Sequence, residues 1–214
     1  FEVYADKGGG MFQNFNPSYI SFSYGVGLIQ ILKNRWKIVG VLSPTLASDF
    51  NNEISRHDFL IQYSILVSKR ANVEFEYGFG VTHNTRFGRP LIIPLLSYTY
   101  LKGNWIHNGV FPAYMASYYS INQFDFGVKL SSFGNVYNSN NATVSNLELD
   151  KLGYSRINIG PDFKFHIYKS LYANISTGIT LRNRLFSINS NGGLEMELPT
   201  HSKYFLNLGL NILK

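Results

Sequence analysis

The amino-acid sequence predicts an all-β protein: a transmembrane, antiparallel, up-and-down β-barrel of about twelve strands, with ten as the alternative count. Apolar and polar residues alternate with period two along most of the chain. In residues 72–82 the alternation is strict and long enough for a tilted strand to cross a bilayer. Short basic turns and longer Asn/Ser/Gly loops separate these segments. No run approaches the roughly 18 apolar residues that a membrane helix needs.

The composition is typical of strands whose two faces meet different surroundings. Charged residues make up 15% of the chain, against roughly 25% in ordinary soluble domains, while aromatic residues reach 16%. The mean hydropathy is only -0.06, because Ser, Asn, Gly and Thr occupy alternate positions. A β-sandwich would carry more Lys and Glu on its outward face. The length predicts one domain, residues 1–214, and the start at Phe1 indicates a mature chain whose export signal has been removed.

The first half of the chain is predicted to contain five strands, the first of them partial. They span residues 1–6, 18–31, 36–42, 58–68 and 72–82. In the second of these, Phe22 and Tyr24 alternate with Ser21 and Ser23, which predicts an apolar outer face and a crowded inner face. Turns or loops are predicted at residues 33–35, 45–56, 69–71 and 86–90.

The second half is predicted to contain seven strands. They span residues 91–101, 104–112, 113–119, 123–133, 154–167, 171–182 and 203–213. Pro94 would interrupt a central ladder unless a bulge absorbs it. Residues 134–150 are predicted to be the longest loop, on the extracellular side, and residues 184–200 to be mostly loop, with another strand as the alternative. The N- and C-terminal strands are expected to pair and close the barrel without a free edge.

Two segments carry a resemblance to a known group of proteins. Gly-Arg-Pro-Leu-Ile-Ile-Pro-Leu-Leu-Ser-Tyr at residues 88–98 is followed by Lys102-Gly103-Asn104-Trp105 and by Pro112, among aromatic strands with Lys/Asn turns. The chain resembles the small outer-membrane β-barrel proteins of Bacteroidota, many of which belong to families of unknown function. The resemblance implies a β-barrel in the outer membrane and no catalytic residues. One departure is the C-terminus, Ile212-Leu213-Lys214, where such barrels usually end on an aromatic residue.

Charged residues on the inward face of the strands are the main candidates for function. They are Glu74, Glu76, Asp125, Lys129, Arg156, Asp162, Lys164 and His166. In a narrow barrel such groups must pair or stay hydrated, because an unpaired buried charge costs several kcal/mol. They predict a salt-bridge network that fills the lumen. A selective pore lined by the same groups and a binding pocket are the alternatives.

The sequence offers little for catalysis or metal binding. It has no cysteine, and its five histidines have no metal-ligand spacing, so we expect neither a metal nor another cofactor. The pairs His57-Asp58 and His83-Asn84 lie near predicted rims without any surrounding catalytic motif. We therefore do not expect an enzyme.

The net charge of +6 is carried largely by tight turns. The predicted basic rim consists of Lys33, Arg35, Lys69, Arg70, Lys102 and Lys169, with Lys203 as a further member if strand parity places it at the same end. Cations spread over turns do not indicate a nucleic-acid site, where they would cluster on one element. They predict contacts with anionic lipid headgroups or an acidic partner, with ordinary polar turns as the alternative.

These observations predict an integral protein of the outer membrane of a Gram-negative bacterium. The favoured prediction for its function is a role as a structural or accessory subunit of an outer-membrane protein complex. The alternative is a narrow, porin-like passive channel for small polar solutes, and a second alternative is an outer-membrane hydrolase. The expected partners are outer-membrane lipids and other outer-membrane proteins or lipoproteins, and no nucleic acid is expected.

Overall fold

A computed structural model describes residues 19–144, 147–168, 171–188, 194–198, 200 and 204–212. These residues are almost entirely β-strand, with single 3-10 turns at Lys33–Arg35 and Arg56–Asp58. The strands are β1 (Ile20–Ser23), β2 (Val26–Ile31), β3 (Trp36–Ser48), β4 (Phe59–Arg70), β5 (Phe75–Asn84), β6 (Leu91–Lys102), β7 (Trp105–Phe111), β8 (Tyr114–Ile121), β9 (Phe124–Val144), β10 (Leu147–Tyr168), β11 (Leu171–Ile188), β12 (Leu194–Leu198) and β13 (Tyr204–Ile212). None of the helical turns in the described ranges is long and apolar enough to span a membrane.

The sheet curls into a closed ring. Successive strands from β3 to β12 pair antiparallel, and β3 also meets β9, where Ser48 pairs with Asn138. The Asp49 amide donates a hydrogen bond of 3.2 Å to the Asn138 carbonyl at this junction. The ring contains the seven strands β3 to β9. Five more strands lie outside it, since β1 and β2 both pair with β3 and form one interrupted strand. The prediction of an all-β, barrel-forming protein with about twelve strands in total is confirmed, although only seven of the strands form the closed ring.

The closure predicted between the N- and C-terminal strands stays a prediction, whereas the described strands close the ring in another way. β1 pairs with β3, and β13 pairs with β11, so the first and last described strands do not pair with each other. The partial strand predicted at residues 1–6 lies outside the described residues. The ring closes instead because β3 runs to Ser48, past the predicted strand end, and there reaches the long β9.

Two segments predicted as loops are largely strand. Within residues 134–150, β9 continues to Val144 and β10 begins at Leu147, with these two residues directly opposite each other. Within residues 184–200, the end of β11 pairs with β12, and Leu185 lies opposite Leu198. Backbone N–H and C=O groups hydrogen-bond in a ladder whatever the polarity of the side chains. The loop predictions for these segments were therefore wrong, because an Asn- and Ser-rich composition does not exclude a strand.

Pro94 lies in β6 without a bulge. It pairs with Val81 of β5 in continuous register. On the other side of β6, the pairing with β7 extends only as far as Leu96. Pro94 is therefore beyond the end of β7 and has a neighbouring strand on one side only, a position in which a missing N–H is tolerated.

The barrel is apolar outside and polar inside. Large apolar side chains point outward and are exposed, including Leu28 at 75% and Leu210 at 73%. Among the described residues, buried polar and charged side chains outnumber buried apolar ones, and Asn158 and Asp162 are both 0% exposed. A small apolar cluster is formed by Val136 of β9 with Phe186 and Ile188 at the end of β11. This polarity is the reverse of that of an ordinary soluble domain.

Candidate functional site

A row of polar groups crosses the inner wall formed by β8, β9, β10 and β11. The strand register places Tyr118, Gly127, Asp162 and Ser176 next to one another on these four strands. Directly opposite residues of antiparallel strands share a face, so all four lie inward. The alternation of apolar and polar residues in β10 predicted the inward position of Asp162.

Gly127 leaves the space in which the Tyr118 ring crosses β9 to reach Asp162. The Tyr118 hydroxyl donates a hydrogen bond of 2.8 Å to Asp162 Oδ2, and the Ser176 hydroxyl donates to Asp162 Oδ1. A Cβ atom at residue 127 would overlap the Tyr118 ring. Because each carboxylate oxygen accepts a hydrogen bond, the fully buried Asp162 is compensated without a salt bridge.

Lys164 lies beside this row. Its Nζ is 3.9 Å from the centroid of the Tyr118 ring, a cation–π contact. Its backbone lies opposite Asp125 in the β9–β10 ladder. The charges of Asp162, Asp125 and Lys129 are all close enough to act on the Lys164 ammonium group. The inner wall of β8–β10 therefore holds acids and bases within mutual electrostatic reach.

A second polar group lies on the wall formed by β3, β4 and β5. Lys37 Nζ is 2.5 Å from Glu76 Oε1, and Arg70 Nε is 3.9 Å from Glu76 Oε2. The Ser68 hydroxyl donates a 2.8 Å hydrogen bond to Glu76 Oε1. Glu76 was predicted to lie inward, and the structure places it there with two cations from neighbouring strands.

The remaining predicted residues are dispersed. Glu74 is exposed in the turn before β5, and the side chains of Asp125 and Lys129 are half-buried on β9. Arg156 lies 5.8 Å from the Phe133 ring centroid. His166 stacks on the Tyr172 ring at 4.6 Å. The eight predicted charges therefore do not gather into one site.

Several partners of the predicted charges were missed in the sequence. Tyr118 and Ser176 bind Asp162, while Lys37 and Ser68 bind Glu76. Each lies on the inward face of its own strand, so the alternation contained part of the signal. Their pairing depends on the register between strands, which a single sequence does not contain.

The basic rim residues that the structure describes lie at one end of the barrel, because the turns that contain them connect alternate pairs of strands. Lys33 and Arg35 lie in the β2–β3 turn, and Lys102 is the last residue of β6. Lys69 Nζ lies 5.2 Å from the Trp36 ring centroid, and Arg70 is the rim residue near Glu76. Lys169 and Lys203 lie outside the described residues.

Two cavities lie between the described strands. The larger, of about 550 Å³, lies between β1, β3, β4, β9 and β10, and the smaller, of about 300 Å³, lies against β7–β10. Arg86 and Phe133 line both. Two hydrogen bonds to β9 hold Arg86 and the β5–β6 loop in place. Arg86 Nη1 donates one of 2.6 Å to the Ser132 carbonyl, and the Thr85 hydroxyl donates one of 2.9 Å to Asn135 Oδ1.

The histidine pairs from the sequence do not form a catalytic arrangement. His57 is exposed. His83 stacks on Tyr63 at 5.2 Å, and its Nδ1 lies 3.2 Å from the Ile61 carbonyl oxygen. Within the part of the chain that the structure describes, no three His, Asp or Glu side chains are grouped so as to hold a metal ion.

Comparison with known proteins places the chain in a family without assigning an activity. Neither the curated proteins nor the solved structures contain a match. A family model described as Domain of unknown function (DUF6268) matches residues 12–196, which is most of the chain. The chain therefore belongs to the family described as Domain of unknown function (DUF6268).

Proposed function

We propose that the chain is an integral β-barrel of the outer membrane of a bacterium of the Bacteroidota, and that it acts as a structural or accessory subunit of an outer-membrane protein complex. The observation that carries the membrane location is the polarity of the barrel. Outward positions along β4, such as Ile61 and Ile65, are apolar and more than half exposed, at 63% and 52%. Exposed apolar area on this scale is stable in lipid and is not tolerated in water.

The dimensions support the same proposal. β4, β5 and β6 contain 12, 10 and 12 residues, and a tilted strand needs about 9–11 residues to cross a bilayer. Aromatic side chains gather at the end with the short turns. There Trp105 packs on Tyr119 at 5.1 Å and Phe124 on Phe165 at 4.7 Å between ring centroids. Such a girdle is typical of the lipid–water interface.

A charge introduced on the outer face tests the membrane location. In lipid, Ile65→Lys in the middle of β4 should destabilise the barrel by about 2–4 kcal/mol. In water, replacing an exposed isoleucine by lysine would cost little. The control is Ile54→Lys, because Ile54 is 59% exposed in the β3–β4 loop, outside the strands.

Unfolding in lipid vesicles, followed by the shift of the folded band on unheated gels, measures both variants. Equal stability of the two variants would contradict the proposal. So would release of the native protein from membranes by carbonate without detergent.

The subunit role rests on how the lumen is filled. Asp162 and Glu76 each accept hydrogen bonds from neighbouring side chains. The ring is closed where Ser48 of β3 pairs with Asn138 of β9. Inward carboxylates that the protein itself satisfies in this way support a structural part rather than a catalytic one. Purification in mild detergent at native expression should recover the protein with other outer-membrane proteins. Recovery as a free monomer alone would contradict this role.

A narrow channel is the second candidate, and the two cavities favour it. Arg86 and Phe133 line both cavities, so the two cavities adjoin each other at these side chains. Planar-bilayer recordings of the wild type and of Phe133→Ala test this candidate. A unit conductance that increases in Phe133→Ala would favour the channel over the subunit, whereas silent recordings from both proteins would eliminate it.

A further inference from the structure

The smaller cavity has an unbalanced charge. Its volume is about 300 Å³, at the lower end of the usual range for small-molecule sites. Of the described residues that line it, Arg86, Lys129 and Lys164 are cationic and none is acidic. Its other polar lining comes from neutral groups that include Tyr114, Ser131 and Asn108.

Neither lysine of this cavity forms an ion pair with a described acid. The two oxygens of Asp162 accept hydrogen bonds from Tyr118 and Ser176. Among the described residues, neither Lys129 nor Lys164 has a carboxylate oxygen within 4.0 Å. Lys164 instead lies against the face of the Tyr118 ring. The ammonium groups of Lys129 and Lys164 therefore have N–H donors available for a ligand in the cavity.

We propose that this cavity binds a small oxyanion, a carboxylate or a phosphate, between Arg86, Lys129 and Lys164. A guanidinium presents a planar set of donors that matches the oxygens of either group, and an ammonium group acts as a compact positive charge. Partial burial strengthens the attraction, because the surroundings screen charge less than water does. The volume accommodates a small ligand of the size of phosphate or succinate.

Arg86 gives the site a connection to the rest of the lumen. It lies on the loop between β5 and β6, and it lines the larger cavity as well as the smaller one. An anion that enters the larger cavity would therefore meet Arg86 before the two lysines. This binding activity goes beyond the structural role proposed above and does not depend on it, since a subunit with or without partners can hold the ligand.

Isothermal titration of the full-length protein in neutral detergent tests the proposal. Inorganic phosphate and succinate serve as probes in a low-chloride buffer, and the tighter probe shows which oxyanion the site prefers. Lys129→Gln and Lys164→Gln should each weaken binding by about 10- to 100-fold, the effect of losing a hydrogen bond to a charged group. Lys102→Gln, which removes the same charge at the exposed end of β6, should bind as the wild type does.

A second measurement covers the case in which a variant does not fold. In the wild type, the probe should protect Lys129 and Lys164 from an amine-reactive label, detected by mass spectrometry, and should leave Lys102 unprotected. Binding of neither probe to the wild type would overturn the proposal. It would also be overturned by unchanged affinity in both folded variants, or by equal labelling of Lys129 and Lys164 with and without the probe.

Discussion

At Gly127 the absence of a side chain determines how a carboxylate is buried. The Tyr118 ring occupies the space above this residue and carries its hydroxyl across β9 to Asp162. The carboxylate is thereby held by neutral donors, and Lys164 lies on the ring rather than on the acid. Single positions on three adjacent strands thus form one unit, and substitution at any of them should disturb the other two.

Gly127→Ala should destabilise the barrel by about 1–3 kcal/mol, the usual cost of forcing a methyl group into a packed interior. The new Cβ would overlap both the Tyr118 ring and the Ser117 carbonyl oxygen. The matched control is Gly40→Ala in β3, where an added Cβ would have no neighbour within 4 Å. Urea unfolding in lipid vesicles measures both variants. A loss of stability no greater at Gly127 than at Gly40 would show that the close packing is unimportant.

The sequence predicted which face Asp162 occupies but not what binds it. Alternation along β10 is a local property, so Asn158, Asp162 and Lys164 could be assigned to the inner wall from spacing alone. The contact with Tyr118 spans two strand pairings, β8 with β9 and β9 with β10. Each pairing has its own register, and an error of one residue in either would turn the side chain to the other face.

At the scale of elements, the junction of β3 and β9 depends on the loop that follows β3. The 3-10 turn Arg56–Asp58 begins with a capping box in which the Ser55 hydroxyl accepts from a backbone amide and Asp58 accepts from the Ser55 amide at 2.7 Å. Asn138 of β9 donates a 3.0 Å hydrogen bond to Asp58 Oδ1. One carboxylate thus connects the turn to the residue that closes the ring.

Acidification should weaken this junction. Burial alone would raise the pKa of Asp58, but hydrogen bonds from Ser48, Ser55 and Asn138 outweigh burial and leave the pKa below its ordinary value. A lowered pKa contributes stability that is complete above the unfolded value of about 3.9 and is lost as the pH falls through the folded value. Wild type should therefore be more stable than Asp58→Asn at neutral pH, and the difference should shrink below about pH 4.

Heat-induced unfolding at a series of pH values measures this difference. Glu53→Gln is the control, because Glu53 is an exposed acid in the same loop. Its stability should differ little from that of the wild type at any pH. A gap between wild type and Asp58→Asn that stays constant down to pH values near 2 would contradict the assigned role of Asp58.

The accuracy of strand prediction also varied between elements for a physical reason. β4 and β5 were predicted within a few residues, because a largely apolar outward face alternates with a mainly polar inward face along most of each strand. β9 and β10 contain 21 and 22 residues, about twice the length needed to cross a bilayer. Their outer halves need no apolar face if they extend into water, so polar composition there could not distinguish a strand from a loop.

At the scale of the whole molecule, the two ends of the barrel differ. Lys33, Arg35 and Lys102 are exposed at the end with the short turns. The only two tryptophans of the sequence, Trp36 and Trp105, lie at the same end. Cations beside interfacial aromatic rings are expected to face anionic headgroups, with each cation contributing about 1 kcal/mol near such a surface. We propose that this end lies on the periplasmic side, against lipid phosphates or an acidic lipoprotein.

The triple variant Lys33→Gln, Arg35→Gln, Lys102→Gln should fold normally, because exposed charges add little stability. Lys69 and Arg70 are left unchanged, since they contact Trp36 and Glu76. The variant should bind phosphatidylglycerol up to about 100-fold more weakly than the wild type at low salt, with a smaller difference at physiological ionic strength. Titration of this lipid into the protein in neutral detergent, followed by tryptophan fluorescence, reports directly on the end in question.

An equal number of charges removed at the opposite end provides the control for this prediction. The triple variant Arg56→Gln, Arg89→Gln, Lys151→Gln lowers the net charge by the same amount. Arg56 and Arg89 lie in the β3–β4 and β5–β6 connections, and Lys151 lies in the first part of β10. If net charge alone governed lipid binding, the two triple variants would bind lipid equally weakly. If the basic rim binds the lipid, only the variant with Lys33, Arg35 and Lys102 replaced should lose affinity. On intact cells, a membrane-impermeant amine label should modify Lys151 and spare Lys102. The two ends of a spanning barrel lie on opposite sides of the bilayer, so labelling of Lys102 would reverse the proposed orientation. Equal lipid affinity of the two triple variants would show that the basic rim does not contribute to lipid binding.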